Sequence, residues 1–317
     1  MTRQASIVAD VGGTHIRFAT VSAPDAPLQC IHSYLCADFA QIYAAIDRYL
    51  ADAGLTPAQL QTLCLALPGA VHTNPVRLVN LPWKVSRQKI RKLYGCEPVF
   101  LNDFTAQALA IPAFTAADLL WIRGGDDDPG NPALTRAIVG PGTGLGVAAL
   151  LPDGEVVESE AGHFSFAPTT LLQQQLLTAL WEIYPRVSIE RLVSGPGLAN
   201  LYRALHHLQG RDIQVSPEDI TRQAHQGDTM SLQTIEEFNR MFGNVCGDIA
   251  LAFGAVGGVY LSGGVLHKLG DLFDRQLFLQ QFDAKGRYAD YCHAIPVALV
   301  QSEYPGLLGA ARHLQRL

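Results

Sequence analysis

The stretch "IVADVGGTHIRFATV", Ile7 to Val21, runs from apolar residues into a carboxylate, two glycines and a threonine before a second apolar pattern begins at Ile16. The alternation predicts strands over Ser6–Asp10 and Arg17–Ser22 joined as a hairpin. Core packing asks for neither an acid nor a glycine pair at that point. Gly12 and Gly13 permit positive φ and carry no Cβ, so the N–H groups of the turn can line a concavity that binds anions such as phosphate. Asp10, at the strand end, is placed to hold a hydrated magnesium ion, and Thr14 to donate its hydroxyl to a phosphate oxygen. A plain hairpin turn with a chance acid accounts for the same letters.

A second turn of this kind stands in the other half of the chain. "GPGTGLG", Gly140 to Gly146, lies between strand patterns at Ala137–Val139 and Val147–Leu151. It does not match the dinucleotide fingerprint, which needs a helix where Val147–Leu151 stands, and no GxxxxGK[ST] occurs in the chain. Two strand–glycine–strand turns suggest a triphosphate gripped between two halves. Around the first, strands are predicted at Leu28–Leu35, Leu63–Leu67 and Val99–Asn102, with helices at Phe39–Ala53 and Phe104–Ile111. Around the second, helices are predicted at Leu171–Ile183, Ser188–Leu208 and Ser231–Phe253, then a strand at Val259–Ser262 ending in Gly263-Gly264. The repetition points to a duplicated α/β unit.

With 317 residues, 48% hydrophobic and 16% charged, the chain can bury a substantial core and divides into two domains. A net charge of -6 and the absence of a Lys/Arg run beyond the mixed stretch Lys84–Lys92 argue against nucleic acid as a partner. "MTRQASIVAD" has no signal-peptide pattern, so a cytoplasmic address is expected. The six cysteines form no CxxC pair and are expected to be free thiols, several of them buried. Ile249–Leu266 is 18 residues without a charge but carries five glycines, and it reads as buried core rather than a membrane span. Gly124–Pro132, with three aspartates, reads as a solvated loop rather than a metal site.

Further candidates lie at element ends. Asn102 and Asp103 stand at a strand end; Asp103 is either the N-cap of the helix beginning at Phe104 or a base for a substrate hydroxyl attacking phosphorus. Glu160 and His163 sit three apart and suit a polyhydroxy ligand better than a metal, since a di-iron bundle needs that motif twice. Glu190 is a further hydroxyl acceptor or a solvated helix residue. Gly263-Gly264 is a tight turn or a close approach to a flat ring.

In order, "DVGGT", "LNDFTA", "GPGTGLG", "EAGH", "ERLVSGPGLANLY" and "LSGGV" make the chain similar to the bacterial glucokinases of the hexokinase and actin-like ATPase superfamily. The resemblance reaches "AIPV" and "YPGLLGAA" near the C-terminus. It implies a two-domain actin-like ATPase (ribonuclease H-like) α/β fold, with duplicated mixed-sheet domains and an interdomain cleft. The small domain would be 1–110 plus 300–317 and the large domain 111–299, closing over the sugar. It implies a cytoplasmic, homodimeric enzyme that uses magnesium to transfer the γ-phosphoryl of ATP to the 6-hydroxyl of glucose.

By the same resemblance Asp103 is the general base, and Asn80, Asn102, Glu160, His163 and Glu190 are sugar ligands. Asp10, Gly12, Gly13 and Thr14 hold magnesium and phosphates, with Asp10 reaching the metal through water. Gly142, Thr143 and Gly144 form the second phosphate loop, and Gly263 and Gly264 lie by the adenosine. The chain departs from the family at His15, where Asn is usual, at Ala161, where Gly is usual, and in "ALPGAV" and "NLPWKVS", Asn80–Ser86. The cysteine-rich zinc motif of the related ROK family is absent. A kinase for mannose or an N-acetylated hexosamine, and a sugar-binding regulator without catalysis, remain as alternatives. With the first strand beginning at Ser6, a DNA-binding helix-turn-helix is not expected.

Overall fold

The computed structural model describes residues 5–22, 27–124 and 131–316. The aspartates of the predicted loop Gly124–Pro132 lie outside the described residues. Contacts divide the chain into two units, one of Met1–Ala117, Val156–Glu158 and Ser302–Leu317, the other of Asp118–Glu155 and Ser159–Gln301.

Unit 1 is built from β1 (Ala5–Val11), β2 (His15–Val21), β3 (Gln29–Leu35), α1 (Ile42–Asp52), β4 (Leu60–Leu67), β5 (Val76–Arg77), β6 (Lys84–Val85), α2 (Arg87–Tyr94), β7 (Glu97–Asn102), α3 (Asp103–Ala110) and the C-terminal helix Pro305–Gln315. Its main sheet runs β3-β2-β1-β4-β7. β1 and β2 are the predicted hairpin, and β1, β4 and β7 are parallel. Ile7, Ala9 and Val11 share a core with Ile42, Ile46, Tyr49 and Leu50 of α1, and Phe18 stacks on Tyr49 at 4.8 Å between ring centroids. Alternation along β1 sends Val8 and Asp10 to the opposite face. There the C-terminal helix packs: a Cβ on Gly306 would come within 2.5 Å of Asp10 Cγ, and one on Gly309 would strike the Ala106 carbonyl of α3. The last helix therefore lies backbone to backbone on α3 because glycine occupies that position.

Unit 2 holds β8 (Leu119–Arg123), β9 (Arg136–Pro141), β10 (Leu145–Leu150), α4 (Leu171–Trp181), α5 (Gly195–His207), α6 (Pro217–His225), α7 (Thr229–Phe253), β11 (Val259–Leu261), α8 (Gly264–Leu269), α9 (Arg275–Asp283) and β12 (Val297–Val300). Its strands run in the order β10-β9-β11-β12-β8. β9 and β10 form an antiparallel hairpin, and β9, β11 and β12 are parallel. This repeats the hairpin-then-parallel order of β2-β1-β4-β7, with each glycine turn at the tip of its hairpin.

The segment predicted as one helix over Ser188–Leu208 is instead a 3-10 turn, Ile189–Arg191, followed by α5. Ser194 breaks it: its backbone is extended and its Oγ accepts from the Gly197 N–H at 3.0 Å, while the following Gly195-Pro196 suits a helix start. The apolar run Ile249–Leu266 is broken in the same manner, since α7 ends at Phe253 with Gly254 left-handed at φ 59° and β11 follows. Among the described residues no helix is long and apolar enough to cross a membrane. All six cysteines are free thiols, and only Cys30 is exposed.

One buried group of unit 2 makes stability depend on pH. His206 is 5% exposed and neither ring nitrogen has a hydrogen-bond partner. Burial, and then Arg211, push its pKa below the ordinary 6.5, with Asp228 opposing. The folded state thus disfavours the protonated ring, and the unfolded chain takes up the extra proton as pH falls through 6.5. Stability from this group is complete above that pH and is lost below it, down to the folded pKa. In thermal melts from about pH 7.5 to about pH 5.5, His206→Phe should lose less melting temperature than the parent. Equal losses would show that His206 does not contribute.

Candidate active site

In unit 1 the candidate residues collect where the parallel strands end. Asp10 is in register with Ala66, and Ala66 with Leu101, the neighbour of Asn102. The ends of β1 and β7 are thus two strand spacings apart on one sheet edge, roughly 10 Å. In open α/β sheets this carboxyl edge is where ligands bind.

Asp10 is half-buried and lies directly across the hairpin from Arg17. Burial raises its carboxyl above the ordinary carboxylate value, and Arg17 pulls it back in part. The turn beyond it is tight: the Gly12 N–H donates to the His15 carbonyl at 2.8 Å. Neither Gly12 nor Gly13 is among the glycines with positive φ, a conformation both would permit. The requirement at Gly12 is close approach, since a Cβ would lie 3.2 Å from the His15 carbonyl. Cys36, which sequence reasoning did not connect with this turn, holds it from behind. Its N–H donates to the Thr14 carbonyl at 2.8 Å and its Sγ to the Gly12 carbonyl at 3.5 Å. Burial pushes that thiol up to about 11, so it is a donor and not a nucleophile. His15 opens β2 opposite Leu35.

Asn102 and Asp103 exchange one of the roles considered for them. Asn102 is the N-cap of α3, its Oδ1 accepting from the N–H groups of Phe104 at 2.9 Å and Thr105 at 3.1 Å. Asp103 is therefore the first residue of the helix and not its cap, and its Oδ1 accepts from the Phe104 N–H at 3.0 Å. With Oδ1 committed to the cap, Asn102 has its amide N–H₂ to offer a ligand. Asn80 sits exposed in a left-handed turn at φ 69°, a conformation asparagine tolerates well. Its loop is anchored by the buried Trp83, whose Nε1–H donates to the Phe39 carbonyl at 3.2 Å.

In unit 2 three glycine-containing segments meet. The Gly195 N–H, at the start of α5, donates to the Gly142 carbonyl at 2.8 Å, and a Cβ on Gly263 would lie 2.5 Å from the Pro141 carbonyl. Gly263 has φ 97° and precedes Gly264, the first residue of α8. Thr143 lies between Gly142 and Gly144 at the tip of the hairpin. The helix start at Gly195 escaped the sequence reading, although Ser194 with a proline two places on is a legible start signal.

Glu160 precedes a 3-10 turn, Ala161–His163, that ends at His163; both side chains are exposed, with Glu160 Oε2 3.9 Å from His163 Nε2. Gly162 between them lies so close to the Leu145 carbonyl that a Cβ would collide with it. Glu190 is not a solvated helix residue: its Oε2 accepts from the Leu145 N–H at 3.0 Å, and a Cβ on Gly144 would strike its carboxylate. Among the described residues no group of three or more His, Cys, Asp or Glu side chains could cage a metal.

Glycine turns on two matching hairpins, each followed by parallel strands with helices between them, are the architecture of the actin-like ATPase fold. The glucokinase family model matches residues 7–317. A glucokinase from Chromohalobacter salexigens is 39% identical over 320 residues, covering 99% of this chain and 98% of that one. The crystal structure of a glucokinase from an Antarctic psychrotroph superposes with a TM-score of 0.84 at 32% identity, covering 99% of both chains. A ROK family glucokinase from Streptomyces griseus, solved with glucose and AMPPNP, shares the fold at a TM-score of 0.65 and 21% identity, covering 98% of this chain and 99% of that one. The chain belongs to the glucokinase family. Its activity is the ATP-dependent phosphorylation of glucose.

Proposed function

We propose that Asp103 takes the proton from the 6-hydroxyl of glucose as that oxygen attacks the γ-phosphorus of ATP. What supports this reading is the position of Asp103 as the first residue of α3, at the carboxyl edge of the parallel strands and next to Asn102, which supplies the capping oxygen. Asn80, Asn102, Glu160, His163 and Glu190 bind the remaining hydroxyls, the carboxylates accepting and the amide and imidazole N–H groups donating. Gly12, Gly13 and Thr14 at the first turn, and Gly142, Thr143 and Gly144 at the second, hold phosphate oxygens through backbone and hydroxyl donors. Gly263 and Gly264 pass close to the nucleoside.

Magnesium fits Asp10. Its carboxylate is desolvated with one opposing cation, so a hydrated divalent ion would hold it ionised, and a cluster with a single carboxylate suits a metal that keeps waters and substrate phosphates. A magnesium ion held there through water by Asp10 would supply positive charge against the negative charge that develops on the transferring phosphoryl group. Dependence on cytoplasmic ATP, and a homodimeric state like that of the bacterial glucokinases, belong to the same reading.

The test is coupled ADP release over a panel of glucose, mannose and N-acetylglucosamine, with Asp103→Ala as background. Glucose is expected to give the highest kcat/KM. A higher value for mannose or the hexosamine, or no sugar above background, would overturn the assignment.

A further inference from the structure

The short segment Glu190–Gly195 holds the second glycine turn at both ends. Its last residue donates from the Gly195 N–H to the Gly142 carbonyl at 2.8 Å. Its first accepts at Glu190 Oε2 from the Leu145 N–H at 3.0 Å. The two ends are tied to each other, because Ser194 Oγ donates to the Glu190 carbonyl at 2.7 Å. Gly144 has no Cβ, which is what admits the carboxylate. The same Leu145 peptide meets the other sugar segment, since its carbonyl packs against Gly162 between Ala161 and His163. Leu145 thus stands where the turn and both candidate sugar segments of unit 2 converge. Glu190 Oε1 makes no hydrogen bond among the described residues, and a carboxylate can accept at both oxygens.

We propose that Glu190 couples sugar binding to nucleotide binding: it takes a sugar hydroxyl on Oε1 and fixes the Gly142–Leu145 turn through Oε2. This rests on the assignment of Glu190 to the sugar and of Gly142–Gly144 to phosphate. A sugar on Oε1 restricts the carboxylate to the orientation that holds Leu145, so the turn is ordered before the nucleotide arrives. Coupling of this kind is reciprocal, and glucose and nucleotide tighten each other by the same factor. Glu190 acts on the nucleotide as a positioning residue, through Leu145 and without touching phosphate.

Calorimetry on the full chain tests this, with magnesium AMPPNP as the nucleotide probe, titrated without sugar and at glucose concentrations that saturate each variant. In the parent, glucose should tighten AMPPNP by about fivefold or more. Glu190→Ala should weaken AMPPNP without sugar by about tenfold and abolish the effect of glucose, the size expected for a lost hydrogen bond to a charged acceptor. Glu190→Gln, whose amide oxygen still accepts from Leu145, should restore AMPPNP affinity without sugar to within about twofold while binding glucose more weakly. Parent-like AMPPNP affinity and parent-like glucose enhancement in Glu190→Ala would overturn the coupling while leaving the sugar assignment intact. Unchanged glucose affinity in that variant would remove the sugar assignment, and the coupling with it. If Glu190→Ala does not fold, Gly144→Ala, which pushes the carboxylate off Leu145, must abolish the enhancement, and retained enhancement overturns the coupling.

Discussion

Asp103→Asn should lower kcat by about 10²–10⁴-fold, the usual contribution of a positioned base. Asparagine keeps the size and the local acceptance from the Phe104 N–H but cannot take a proton. The helix start should survive, because Asn102 and not Asp103 supplies the capping oxygen. Glucose affinity should therefore change only a few-fold while turnover collapses, which separates a base from a binding residue. The check is steady-state ADP release with glucose binding measured independently. A kcat reduced by less than tenfold would remove Asp103 from the chemistry.

The second large effect is expected at a residue given no part in binding or chemistry. Gly309→Ala places a Cβ on the Ala106 carbonyl of α3, a backbone atom that can yield only if the helix moves. Helix propensity favours alanine by about 0.8–1.0 kcal/mol, so propensity alone would raise stability. Overpacking of a fixed backbone costs about 1–3 kcal/mol, and a collision this deep belongs at the upper end, so the net sign is destabilising. The melting temperature should fall by roughly 4 °C or more. Since α3 begins at Asp103, kcat should fall as well. A variant as stable as the parent would mean that the two helices can separate freely.

Much of the fold was legible because its signals are local. The strands around "DVGGT" match those expected to within a residue or two, since alternation and a glycine pair define a hairpin without help from the rest of the chain. The matching hairpin at Gly140–Gly146 made the duplication readable, and the shared strand order of the two sheets follows from it. The Asn102-Asp103 pair was ambiguous for a physical reason: either side chain can cap a helix, and only the backbone angles at Asn102 decide which does. Glu190 could not be separated from a solvated residue, because the donor it serves is a backbone N–H of Leu145, which no side-chain letter marks. Cys36 behind the first turn, and Gly306 and Gly309 against Asp10 and α3, are contacts between segments remote in sequence, and periodicity says nothing about them.

The C-terminal helix sets the order in which the protein becomes an enzyme. Domains ordinarily fold as they emerge from the ribosome, N-terminal first. Here the helix that covers Asp10 and packs on α3 is Pro305–Gln315, synthesised after the whole of unit 2. A nascent chain therefore carries the Asp10 turn and the Asp103 helix with their shared support missing until all of unit 2 has been made. Catalytic competence should appear late and abruptly, and a half-made chain should not hydrolyse ATP while still on the ribosome.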